Sequence, residues 1–252
     1  MRFFHSWRRP AIIFIALFLS TPYALAEGQF VVLDAEIESA KLTRELKEMQ
    51  GDEMLQLLAD SINELFVIPE DVGLRFSECE ESNAYFSAEE MEITMCVELL
   101  ADMDESLSES YPDEDERHEA VAGAFTAILL HEVGHALVSV LEIPITGREE
   151  DAVDQLSAWV LIEADMADAV LSSAETYYTA EEETDHETLA DAHSLNQQRY
   201  FNMVCWVYGS NPDDNEELIE DWELPQARAE LCADEYALIS RSWSKLLKSH
   251  LR

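Results

Sequence analysis

The chain has 252 residues, and 54 Asp and Glu against 15 Lys and Arg leave a formal charge of -39 at pH 7. A charge of that sign and size repels nucleic acid and anionic membrane surfaces, so neither is an expected partner. Its simplest role is a solvated acidic coat, and hydrophobic residues at 48% leave enough apolar material for a sizeable core.

Residues 1–26 read as an export signal. Arg2, Arg8 and Arg9 form a basic start, AIIFIALFLS an apolar stretch, and ALA ending at Ala26 a small-x-small cleavage site. That stretch is shorter than the roughly 20 apolar residues that span a bilayer. A mature chain cut after Ala26, periplasmic or secreted and without stable membrane insertion, is therefore expected. Residues 27–252 are expected to form a single domain. Its parts are N-terminal helices and a small sheet over 27–115, a central helix pair over 116–172 and a C-terminal helical part over 173–252.

From Ala35 to Phe66 the apolar period is helical, with Gly51 marking a break between two helices. IPEDVGLRF reads as a turn into a strand, and SNAYFSAEEMEITMCVEL as two strands joined by an acidic turn. ADMDESLSESYPDEDERHE reads as an acidic loop, followed by a long apolar helix from Glu116 to Leu141 that Pro144 and Gly147 terminate. A helix from Arg148 to Ser172 comes next, then an acidic connection with a short helix in it. LNQQRYFNMVCWVYG and LPQARAELCADEYALISRSWSKLL read as two closing helices. The expected class is α+β, mainly helical, with a small antiparallel sheet.

Cys79, Cys96, Cys205 and Cys232 make an even count in a chain expected to be exported, which favours disulfides. Three connectivities are open, and proximity favours Cys79 with Cys96 and Cys205 with Cys232. A zinc site built from the four cysteines is the rival reading, but no C-x-x-C pair is present.

The chemistry concentrates in HEVGH, residues 131–135, inside an otherwise apolar run. At i and i+4 on a helix, His131 and His135 share one face with β-carbons about 5–6 Å apart, close enough to bind one metal ion. Zinc favours such nitrogen ligands and keeps an open position when it is catalytic. Glu132, beside the first ligand, then reaches a water polarised by the metal rather than the metal itself.

A catalytic zinc needs a third ligand, and Glu149, Glu150 and Asp151 follow the motif in a row. Only Glu150 has an acid one turn later, Asp154, able to orient a ligand histidine as an outer carboxylate. Glu150 is thus the expected third ligand and Asp154 the orienting group. Glu150→Ala is expected to lose metal, and Glu149→Ala and Asp151→Ala to retain it. The side chain missing at Gly134 is expected to let another backbone pack close to the motif. Two other readings exist: neutral core histidines bonded to each other and to Glu132, and a transmembrane helix carrying the motif.

The E-x-x-x-D spacing after H-E-x-x-H resembles the gluzincin class of zinc peptidases. NAYF (Asn83 to Phe86), ITMCVEL, LLHEVGHAL, GREEDAVDQL, HSLNQQRYFNMVCWVYG and LPQARAELCADEYALISRSW together resemble a bacterial domain-of-unknown-function family of metallopeptidases, from about Val67 to Trp243. The resemblance implies a zincin-like helix pair and a zinc hydrolase acting on a peptide or protein substrate. In peptidases of this kind an edge strand binds the substrate backbone by strand addition, a role open to NAYFS or ITMCV. A further donor for the transition-state oxyanion is also needed. His186, His193, Arg199 and Tyr200 are the candidates, with His193 and Arg199 first. The alternative from another class is a non-catalytic exported zinc-binding protein.

Overall fold

The computed structural model describes residues 27–180 and 185–252; the expected export signal lies outside them. The elements are β1 (Phe30–Val32), α1 (Ala40–Glu48), α2 (Gly51–Leu65), β2 (Val72–Ser77), β3 (Ala84–Ser87), β4 (Glu92–Cys96) and α3 (Val97–Leu107). They continue with α4 (Glu114–Val140), α5 (Glu149–Glu163), α6 (Ala167–Thr179), α7 (His186–Ala190), α8 (Asn196–Ser210), α9 (Leu218–Asp221) and α10 (Gln226–Leu246). The class is α+β and mainly helical. The turn between α1 and α2 falls at Gln50, whose φ is 53°, and Gly51 opens α2.

The sheet runs β1-β2-β4-β3. It is mixed rather than antiparallel: β2 pairs in parallel with β1 and β4, and only the β3–β4 hairpin is antiparallel. The expected sheet came from the hairpin alone, because β1 is three residues long and too short to show a period. Val72, Leu74 and Phe76 alternate into the core from β2, where Phe76 stacks on Phe125 of α4 with ring centroids 5.6 Å apart.

Two further boundaries differ from expectation. VELLADMDESL is helix α3 rather than the start of a loop, because Val97, Leu100, Met103 and Leu107 form a buried stripe beneath its acids. The helix expected over 148–172 is two helices, α5 and α6, divided where Asp165 takes a φ of 59°. Tertiary packing of Ala169, Val170 and Ala174 carries α6 on to Thr179.

Asp113 caps α4 by accepting hydrogen bonds from the Asp115 and Glu116 amides, and three acids in its first turn complement the helix dipole. The helix is long and apolar enough to cross a membrane, but 72% of its most apolar window is buried inside the fold. It is the core helix around which α3, α5 and α6 pack. At Gly134 a β-carbon would stand 2.8 Å from the Val153 β-carbon, so the close neighbour is a side chain of α5, not backbone.

Cys79 is bonded to Cys96, tying the segment after β2 to the end of β4, and Cys205 to Cys232, tying α8 to α10. One turn beyond Cys205, Gly209 admits the Cys232 carbonyl, which would lie 2.2 Å from any β-carbon there. A crossing this close has no room for a larger residue.

Candidate metal centre and its cavity

His131 and His135 project from one face of α4 toward Glu150 on the first turn of α5. The Nε2 atoms of the two rings are 3.3 Å apart, and each lies 3.2 Å from the same Glu150 Oε2. Three donor atoms thus form a nearly equilateral triangle able to hold one metal ion.

The far side of each ring is also held. Nδ1 of His131 is 2.7 Å from Asp154 Oδ1, and Nδ1 of His135 is 2.8 Å from Glu149 Oε1. A proton shared with a carboxylate at Nδ1 leaves the Nε2 lone pair facing the triangle, the tautomer a ligand needs. Asp154, the acid that spacing singles out, stands at His131, and Glu149 grips the other histidine rather than standing idle beside Glu150. Asp151 turns away and accepts from the Ser194 hydroxyl at 2.6 Å.

Asp154 is itself clamped. Arg199 of α8 donates through Nε to Oδ2 at 2.8 Å and through Nη2 to Oδ1 at 2.6 Å, and its guanidinium lies 4.1 Å from the Tyr177 ring centroid. Both members of the pair are buried, at 4% and 9% exposure. Burial pushes the Asp154 carboxyl up, but the Arg199 charge and the His131 hydrogen bond outweigh it and hold it at about 2. Burial also opposes the His135 cation, yet bonds to Glu150 and Glu149 raise that ring to about 9. Hydrogen bonds from His131, His135 and His193 hold Glu150 far below the usual carboxylate range. Burial raises Glu132, whose carboxylate takes a hydrogen bond from the Phe86 backbone.

The triangle faces a cavity of about 910 Å³ whose walls include Glu132, His193, Tyr177 and Arg199, with Asn83 to Phe86 along one side. That side is β3, an edge of the sheet; β4 is paired on both flanks and has no free edge to offer. His193 reaches Glu150 Oε2 through Nε2 at 3.0 Å, with its Nδ1 2.9 Å from Asp191 Oδ1. The residue pair Asp191 and His193, two apart in sequence, was a readable signal; Tyr177 had none.

The other oxyanion candidates are engaged or stand elsewhere. Arg199 lines the cavity but spends its guanidinium on Asp154. The Tyr200 hydroxyl donates to the Trp222 carbonyl at 2.9 Å, and Tyr200 faces a different cavity. His186 opens α7 and is not among the residues lining the site.

A family model described as "Putative metallopeptidase" matches residues 35–247. The chain belongs to that family. No curated protein and no solved structure matches the chain. The two disulfides of this metallopeptidase-family protein point to an oxidising compartment outside the cytoplasm.

Proposed function

We propose that the protein is an exported zinc peptidase of the gluzincin kind, acting in the periplasm or after secretion. The observation that carries this is the triangle of His131, His135 and Glu150. A tetrahedral zinc with bonds of about 2.0–2.1 Å sets its ligand atoms about 3.3 Å apart, and the three donors stand 3.2–3.3 Å apart. When bound, zinc supplies Lewis acidity, polarising a peptide carbonyl and making water a nucleophile near neutral pH.

The chain's own residues supply the rest. Glu132, on the cavity wall beside the triangle, takes the proton of the attacking water and returns it to the departing amine. Its raised proton affinity suits both transfers, and general bases of this sort contribute about 10²–10⁴-fold. His193, steadied by Asp191, lines the cavity with its Nε2 at Glu150; once that carboxylate ligates a metal, the Nε2 turns to the substrate and hydrogen-bonds the carbonyl oxygen as charge develops on it. Asp154 and Glu149 hold the ligand rings in one tautomer, and Arg199 holds Asp154. The free edge of β3 orients the substrate backbone.

A non-catalytic zinc protein needs no opening beside its ion, so the cavity of about 910 Å³ favours turnover. The test pairs zinc stoichiometry with peptide-library cleavage by wild type and Glu132→Ala. One equivalent of zinc in both proteins and cleavage by the wild type alone is expected. Stoichiometric zinc with no cleavage by either overturns the peptidase reading, and no zinc uptake overturns the metal site.

A further inference from the structure

A second cavity, of about 380 Å³, lies against α6, α8 and α9 and is walled by Tyr111, Tyr178, Tyr200 and Trp222. The Tyr200 ring is 4.9 Å from Tyr178 and 6.1 Å from Trp222, and its hydroxyl fixes the Trp222 backbone. Glu175, Asp221, Glu223 and Ser110 complete the lining, and the Ser110 hydroxyl donates to Glu175 Oε1. Among the described residues none of these three carboxylates has a Lys, Arg or His partner, and no basic residue lines the cavity. An adjoining cavity of about 780 Å³ shares Tyr111 and Trp222 and adds further acids, including Glu116, Glu119 and Asp168.

Aromatic faces and carboxylates in one cavity select a particular chemistry. A neutral apolar ligand gains nothing from three acids, and a hard divalent cation gains nothing from four rings. An organic cation uses both, its charge meeting the carboxylates and its polarised C–H or N–H groups the ring faces. We propose that this cavity is a binding site for an alkylammonium or guanidinium group. The group arrives on a free amine or as a basic side chain of a polypeptide, and the net charge of -39 steers either toward the surface. The site backs onto the metal centre: Tyr177 and Arg199 line that cavity, and the next residue of each helix, Tyr178 and Tyr200, lines this one. The inference stands independently of peptidase activity.

Calorimetric titration of the purified protein near physiological salt tests it. The probes are choline and its neutral isostere 3,3-dimethylbutanol, tetramethylammonium, N-acetyl-lysinamide, N-acetyl-argininamide and a short lysyl peptide. Saturable one-site binding of the cations is expected, with the isostere at least about tenfold weaker. Trp222→Ala and the exposed Tyr178→Ala each weaken it by about tenfold, and Glu175→Gln weakens it too. Glu53→Gln, on the exposed face of α2, leaves it unchanged and so controls for general attraction to an acidic protein. Tighter binding of the lysyl peptide than of tetramethylammonium assigns the site to polypeptides, and the reverse order assigns it to free amines. Non-saturable uptake, equal binding of the isostere, or full affinity in folded Tyr178→Ala overturns the proposal.

Discussion

Three consecutive acids at the start of α5 have three different partners. Glu150 meets the Nε2 of both His131 and His135, Glu149 the back of His135, and Asp151 the hydroxyl of Ser194. Removing an outer carboxylate from a ligand histidine costs roughly 10–100-fold in metal affinity. Glu149 is nearly half exposed, so Glu149→Ala should fall near the lower end, about tenfold, while Asp151→Ala keeps wild-type affinity in a chelator competition. Equal affinity in all three proteins would return Glu149 to the idle role that spacing alone assigns it. Arg199 belongs to the same scale. Arg199→Met leaves Asp154 charged and buried without its partner, and stability to urea should drop by about 3–5 kcal/mol. A loss below about 1 kcal/mol, the range of exposed pairs, would mean that water reaches the pair.

Between helices, the site depends on how closely α5 approaches α4. Gly134 costs about 1 kcal/mol of helix propensity relative to Ala, so propensity alone predicts that Gly134→Ala stabilises. Packing opposes it: the new β-carbon would meet Val153 Cβ at 2.8 Å and Cγ1 at 2.9 Å, and overpacking of this kind costs about 1–3 kcal/mol. Because the crowded atoms sit at a β-branched centre rather than at a flexible tip, the clash wins. Gly134→Ala should lower the urea midpoint and also weaken metal binding, since Glu150 and Asp154 flank Val153 on the displaced helix. A raised midpoint with unchanged metal affinity would show that α5 yields without strain. The α5–α6 division was hidden for a related reason: DAVLSSA continues the helical period of the preceding residues, and only the packing of Val170 and Ala174 dictates the new direction.

Across the molecule, acid should undo stability through carboxylates held below their ordinary range. Burial opposes the charge of Glu235 on α10, but hydrogen bonds from Arg228 and Trp206 outweigh it and lower its proton affinity. A depressed folded value stabilises above the unfolded pKa of about 4.3 and loses that contribution as pH falls through the folded value. Glu235→Gln should therefore be less stable than wild type at pH 7, and the gap should close on acidification. A gap independent of pH would make the effect one of shape rather than charge. The -39 charge acts in the same arena: self-repulsion favours the expanded chain, so added salt should raise the melting temperature by screening it.

The metal triangle was legible before any coordinates because its parts obey local rules. Residues four apart on a helix share a face, and a short connection returns the next helix to it, so HEVGH and E-x-x-x-D name His131, His135, Glu150 and Asp154 from spacing alone. The same holds for the hairpin and the cysteine pairs. Contacts made across long stretches of chain obey no such period. Arg199 reaches Asp154 from 45 residues away, Tyr177 meets Arg199 from a different helix, and β1 joins β2 from the far side of two helices. Side-chain periodicity reports which face of an element is buried and carries no information about which distant element covers it. For that reason the triangle of His131, His135 and Glu150 could be read along the chain, whereas the clamp behind it and the aromatic cavity beside it exist only once the helices pack.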